Sequence, residues 1–243
     1  TQGKMKVGFV EAVAAMPSHA RQGHTKKLMK KVHEQMESDG IELFVLGTSQ
    51  TLVACSMYPK LGYKDMMDFN WGMKNGQKYT RNDVKRKVRR HKIDKGDKMF
   101  RKLVKGNLGF IHRPDEYPKL RCSWGPFYSN TVTFLRDERP IGYALIRTMP
   151  GFLNIREMVC PKPADHEPCF QALENRFTRS YVTRSVSGRQ VIVERFRNHG
   201  FRDMETWGTF MAMDPQGRMS QNGLKQLLGI DKDRFQLFAL DTY

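Results

Sequence analysis

The stretch V-A-A-M-P-S-H-A-R-Q-G-H-T (13–25) decides how this chain is read. An apolar run, Val7 to Ala15, interrupted by Glu11, leads into it and reads as a buried strand. Pro17 to Gly23 is a polar turn. His24 to Asp39 then places Leu28, Met29, Val32 and Met36 on one helical face, with lysines on the other, and Gly40 stands where the helix should stop. Ile41 to Leu46 reads as a short strand, Thr51 to Leu61 as a helix ending at Gly62 with its last turn loosened by Pro59, and Tyr63 to Met73 as a returning strand. A strand, a glycine turn and a helix N-terminus together make an anion site. The amides of the first helical turn have no partner within the helix, and the helix dipole favours negative charge. Gly23 lets the backbone approach a pyrophosphate closely, and Lys26 and Lys27 add charge.

The rest of the chain sets bounds on this reading. With 243 residues, 39% hydrophobic and 11% aromatic, it is long enough for one large or two ordinary domains and too apolar for general disorder. No apolar run reaches the roughly 18–20 residues that a membrane span needs. Four cysteines, Cys55, Cys122, Cys160 and Cys169, form no C-x-x-C pair; they suit reduced thiols and a cytoplasmic location. Lys and Arg number 42 against 25 Asp and Glu, a formal charge of +17, which attracts polyanions: nucleic acid, an anionic surface or a phosphorylated cofactor. Much of that excess lies in 74–105, with 14 Lys/Arg against 3 Asp. This segment reads as one or two exposed basic helices, either a solvated face or a polyanion contact; no aromatics interleave with its charges between Arg81 and Met99.

The second half repeats the first. Y-P-K-L-G-Y-K-D-M (58–66) matches F-R-N-H-G-F-R-D-M (196–204), and V-G-F-V-E-A-V-A (7–14) matches L-N-I-R-E-M-V-C (153–160), pairing Glu11 with Glu157. Between them are a hairpin (131–135 and 141–147), a strand from Phe152 to Val159, helices from Pro168 to Tyr181 and Val191 to Asn198, and a strand from Phe201 to Met213. A helix over Asn222–Leu228 lies near the end. The expected fold class is α/β (α+β), a mixed twisted sheet with flanking helices built twice: a first domain over 1–78, a second over 79–214 opening on the basic segment, and a tail over 215–243.

The motif over 13–25, with the following helix, I-E-L-F-V-L-G-T and M-Y-P-K-L-G-Y (57–63), resembles the Gcn5-related N-acetyltransferase (GNAT) superfamily, whose signature is a strand, Arg/Gln-x-x-Gly-x-Gly/Ala, helix, strand, helix and an aromatic-x-x-x-Gly-aromatic end. Ala20 stands at the signature's first position, with Arg21 directly after it, and Thr25 at the last. The tandem order, with N-L-G-F-I-H-R-P (107–114) before the hairpin, is similar to the enhanced-intracellular-survival acetyltransferases. The sequence is expected to lack their sterol-carrier-like domain and the first strands of the first GNAT domain. The resemblance implies acetyl-CoA as cosubstrate. Val13, Ala14 and Ala15 would pair with the pantetheine arm, and Arg21, Gln22, Gly23, His24, Thr25 and Lys26 would form the pyrophosphate loop. Tyr58 stands where the family keeps a tyrosine that protonates the departing thiolate. Glu11 is a general base or a structural residue. Tyr243, by analogy with those relatives, would offer its terminal carboxylate as a base. The second copy has Pro161-Lys162-Pro163-Ala164-Asp165 in place of Arg-x-x-Gly, and its prolines remove amide donors, so one acetyl-CoA per chain is expected, in the first copy. No metal is called for. The acceptor would be a small-molecule amine or a lysine-bearing chain, with a homo-oligomer allowed. The competing reading is a non-catalytic binding protein of the same fold that contacts nucleic acid or another polyanion through 74–105.

Overall fold

A computed structural model describes residues 5–79, 87–90, 97–104, 116, 130–185 and 187–237. In chain order the elements are β1 (Val7–Val10), α1 (His24–Ser38), β2 (Leu43–Ser49), β3 (Lys64–Asp68), β4 (Trp71–Asn75), β5 (Lys87–Arg90) and α2 (Asp97–Val104). There follow β6 (Asn130–Arg136), β7 (Arg139–Met149), β8 (Phe152–Val159), α3 (His166–Arg176), β9 (Tyr181–Ser185), β10 (Ser187–Gly188), α4 (Gln190–Asn198), β11 (Arg202–Met204), β12 (Gly208–Met213), α5 (Gln221–Leu228) and β13 (Gln236–Leu237). The chain divides into two compact units: Thr1–Phe69 with Thr206–Asp231, and Asn70–Glu205 with Lys232–Tyr243.

The first unit holds a four-stranded sheet in the order β1-β2-β12-β3. β1 runs parallel to β2, and β12 runs antiparallel to both β2 and β3. Its core gathers Met29 from α1, Phe44 and Leu46 from β2, Met211 and Met213 from β12, and the rings of Tyr58 and Tyr63. The second unit holds a seven-stranded sheet in the order β11-β4-β9-β8-β7-β6-β5, in which β8 and β9 are parallel and the other pairs antiparallel. Its core sets Leu153, Ile155 and Val182 against Phe170 and Leu173 of α3 and Val193 and Phe196 of α4. Asp137 and Glu138, both left-handed, turn the β6–β7 hairpin with the twist that two antiparallel strands require.

The internal repeat is structural. Gly62 and Gly200 both adopt positive φ (101° and 84°), and each is followed by a strand, β3 and β11. Each copy then sends its last strand into the other copy's sheet: β4 lies between β9 and β11, and β12 between β2 and β3. The strands expected over 63–73 and 201–213 are therefore each two strands, broken where the chain leaves one sheet for the other. The boundaries expected at 78 and 214 do not coincide with the compact units for the same reason.

Other expectations are corrected. The first strand ends at Val10 rather than Ala15, because Ala12 is left-handed (φ 54°) and cannot extend a ladder. Residues 51–61 form two short 3₁₀ turns, Val53–Ser56 and Pro59–Leu61, since Pro59 has no amide to continue a helix. The helix expected over 168–181 stops at Arg176, and Tyr181 opens β9. Within the basic segment, Lys87–Arg90 is an edge strand paired with β6, not a helix; Val88 packs on the core, while Lys87 and Arg89 reach Glu138 at 2.7 and 2.6 Å. Much of the remainder of that segment lies outside the described residues.

Candidate active site

The site begins where β1 leaves β2. The parallel register runs from Val7↔Leu43 to Val10↔Leu46, and β2 continues to Ser49 alone on that side. Residues 11–16 belong to no strand; the Met16 carbonyl accepts from the His19 amide at 2.8 Å, and the backbone groups of 11–15 are left available to a ligand. Val13 turns inward to the core, whereas Ala14 and Ala15 are exposed and line a cleft of about 410 Å³ with Met16, His19, His24, Thr25 and Leu28.

A 3₁₀ turn, Pro17–His19, then carries the chain into the loop. Arg21 and Gly23 are both left-handed, with φ 62° and 76°. Gln22 ties the loop together: its Nε2 donates to the Ser18 carbonyl at 3.3 Å and its Oε1 meets His24 Nε2 at 3.1 Å. Gly23 is the N-cap of α1, without a side-chain cap, and the first turn holds no acid. The first bond of the helix runs from the Lys27 amide to the Gly23 carbonyl, 3.1 Å, which leaves the amides of His24, Thr25 and Lys26 without helical acceptors. A methyl group built on Gly23 would meet no atom within 4 Å, so the N-cap position itself faces open space. Bare amides, a positive helix end, Lys26 and Lys27 and an adjoining cleft suit a phosphorylated ligand.

The corresponding helix of the second copy opens differently. The α3 N-cap is Asp165, which is buried and accepts from Arg136 Nη1 at 3.1 Å, and Glu167 adds a second acid in the first turn. An acidic N-cap stands where the first copy has glycine.

Tyr58 is buried and is not among the residues that line the cleft. Its ring is buried among Met29, Phe44, Leu46, Met211 and Met213, edge-on to Tyr63 with centroids 5.9 Å apart. Its hydroxyl hydrogen-bonds no described group, and burial, then the neighbouring Cys55, raises its pKa, so it keeps its proton at neutral pH. Tyr63 Oη meets His33 Nε2 at 3.0 Å, and the His33 ring packs on Phe44. Burial lowers the His33 pKa, against the pull of Glu37, and raises that of Tyr63 further still.

The fold thus brings Ala14, Ala15, His24 and Thr25 around one cleft, with Arg21, Gln22 and Gly23 on the adjoining loop and Lys26 in the first turn of α1. Glu11 is exposed and does not line that cleft. Its counterpart Glu157 is buried and accepts a hydrogen bond from the Tyr143 hydroxyl. Tyr243 lies outside the described residues. Sequence reasoning missed His33 and Tyr63, although His33 stands four residues after Met29 and three before Met36, on the buried stripe of α1. It also set Leu28 in the core, whereas Leu28 is 56% exposed at the cleft.

Residues 1–66 match the family model described as "Acetyltransferase (GNAT) domain". No curated protein matches the sequence. Among solved structures, a GCN5-related N-acetyltransferase from Anabaena variabilis ATCC 29413 superposes with a TM-score of 0.69 at 13% identity, over 88% of this chain and 56% of that one. Eis1 from Mycobacterium abscessus gives 0.57 at 11%, over 86% and 56%. A tandem GNAT protein from the clavulanic acid biosynthesis pathway gives 0.50 at 10%, over 87% and 76%. The chain spans little more than half the length of the Anabaena protein and of Eis1. No helix among the described residues is long and apolar enough to cross a membrane. The chain thus shares the fold of these GNAT structures over most of its length, and its first 66 residues match the GNAT acetyltransferase domain model.

Proposed function

We propose that the first copy binds acetyl-CoA and transfers its acetyl group to a primary amine, on a small molecule or a lysine side chain, in the cytoplasm. The observation that carries this is the difference between the two helix N-termini: α1 opens on bare amides and lysines, whereas α3 opens on a buried carboxylate. Acetyl-CoA, when bound, supplies the thioester-activated acetyl group. The amides of His24, Thr25 and Lys26 hold the pyrophosphate, with Arg21 and Lys26 balancing its charge. The free backbone of Val13, Ala14 and Ala15 orients the pantetheine arm. Tyr58, protonated and with its hydroxyl unengaged, donates its proton to the departing sulfur. Glu11 is the side chain offered for removing a proton from the attacking amine. The polyanion reading is less favoured, because Lys87 and Arg89 of the basic segment already engage Glu138.

Two measurements test this. Calorimetric titration with CoA should give one site per chain; a stoichiometry of two, or none, refutes the assignment to the first copy. Incubation with acetyl-CoA and a panel of primary amines should release free thiol only when an acceptor is present. A protein that binds CoA but acetylates no amine in the panel would be a binding module of the same fold.

A further inference from the structure

The two ends of the proposed site sit on different segments. The pyrophosphate loop is the start of α1, and the acid lies between the two 3₁₀ turns after β2. Within the first unit, a buried side-chain hydrogen bond joins them: His33, in the third turn of α1, to Tyr63, 3.0 Å between Nε2 and Oη. Tyr63 is in turn fastened to Tyr58 by backbone and ring. The Tyr58 carbonyl accepts from the Leu61 amide at 2.9 Å and from the Tyr63 amide at 3.2 Å. Gly62, with φ 101° and no room for a Cβ beside the Met213 sulfur (2.9 Å), lets the chain double back so that this second bond can form. The two rings then meet edge to face. His33 is 8% exposed and Tyr63 2%, so neither contacts bulk solvent enough to account for the bond as a surface feature.

We propose that the His33–Tyr63 hydrogen bond is a strut that fixes the Tyr58 ring relative to α1, making His33 and Tyr63 positioning residues for proton delivery to the departing sulfur. The proposal rests on the reading of Tyr58 as the acid. A cofactor held at its phosphates by α1 presents its sulfur at a place set by α1, whereas the phenol is carried by the 58–63 turn. Any slack between these segments becomes a misplaced proton donor, and a displacement of about 1 Å at a reacting group costs up to roughly 10²-fold in rate. The pair is suited to the task. Burial keeps His33 neutral, so one ring nitrogen is free to accept from the phenol and the bond carries no net charge in the core.

The test compares His33→Phe and Tyr63→Phe, alone, together, and in a Tyr58→Phe background. Each single variant should lower kcat for acetyl transfer to the best amine of the panel by roughly tenfold, with CoA affinity within about twofold of the parent. The double variant should be no slower than either single one, and His33→Gln, which can still meet the phenol, should recover most of the loss. In the Tyr58→Phe background, adding Tyr63→Phe should leave kcat unchanged. Without any cofactor, the Tyr58 ring resonance of protein labelled at tyrosine Cζ should shift or broaden in both single variants. Parental kcat in His33→Phe and Tyr63→Phe, or an equal loss from Tyr63→Phe whether or not Tyr58 keeps its hydroxyl, overturns the strut while leaving Tyr58 as the acid. Parental turnover in Tyr58→Phe alone removes the acid reading and the strut with it.

Discussion

Replacing Gly23 with aspartate perturbs the phosphate end of the site with little expected disturbance to the fold. Gly23 has φ 76°, so an L-residue there costs about 1 kcal/mol, and aspartate tolerates that region better than most. The new Cβ meets nothing within 4 Å, so no packing is lost. At an N-cap the carboxylate accepts from a first-turn amide, a gain of about 1 kcal/mol that offsets the backbone cost. The melting temperature should therefore stay within a few degrees of the parent. Binding is another matter, because the same carboxylate occupies the amides and repels the pyrophosphate. At 4 Å, with an effective dielectric between bulk water and a protein surface, each like-charge pair costs about 1–4 kcal/mol. CoA affinity should fall by roughly 10²–10³-fold, at about 1.4 kcal/mol per tenfold. Gly23→Ala carries the backbone cost without the charge, and should weaken binding by less than about tenfold. Calorimetric titration of both variants with CoA, repeated at low and high salt, measures the difference. The gap between aspartate and alanine should narrow as salt screens the repulsion. Equal CoA affinity in the two variants at low salt would refute the pyrophosphate loop.

Tyr58→Phe keeps the ring and its packing but removes the proton donor, so kcat should fall by roughly 10²–10⁴-fold while the melting temperature and CoA affinity barely change; any alkaline limb of the kcat profile set by the phenol should disappear. In the second unit, Glu174 is buried with Lys74 at 3.1 Å and also accepts from the Gln77 amide and the Tyr79 hydroxyl. Glu174→Gln leaves the ammonium without its counter-charge and should destabilise the protein by about 3–5 kcal/mol in denaturant titration, with Lys74→Met in the same chain restoring much of it. Burial, with His199 and Arg195 nearby, depresses the His166 pKa to about 3. The unfolded chain therefore binds a proton that the folded one refuses between pH about 6.5 and 3. Stability should be intact above that window and decline by up to about 1.4 kcal/mol per unit as pH falls through it, and His166→Phe should flatten that slope.

The elements that proved legible are those whose signals are local. Helix α1 announced itself through its 3.6-residue stripe and the glycines at both ends, and the β6–β7 hairpin through its short polar turn. The open N-terminus of α1, proposed to hold a pyrophosphate, was readable because a glycine N-cap with lysines and no acid in the first turn is a pattern within ten residues. The repeat was visible because both copies need glycine at the same left-handed position, Gly62 and Gly200. What the sequence could not disclose depends on partners far along the chain. Nothing near Met73 or Met213 says that β4 and β12 belong to each other's sheets. Ala12 gave no warning of a left-handed backbone, because alanine is common in strands and helices alike. Lys87 to Arg90 looked helical by charge alone, and only its pairing with β6 makes it a strand. His33 was hidden by its type: a histidine on an apolar stripe reads as a gap in the stripe until its buried phenol partner, 30 residues away, is known.

The exchanged strands also set a timetable for synthesis. β2 and β3 leave the ribosome early, but the strand that fills the gap between them, β12, is made about 140 residues later. At roughly 5–20 residues per second that is an interval on the order of ten seconds. Throughout it, the nascent first sheet has two unpaired inner edges and a core missing Met211 and Met213. On a crowded polysome a neighbouring chain's β12 carries the same sequence and fits the same gap, so rapid expression should yield intertwined dimers that slower translation avoids.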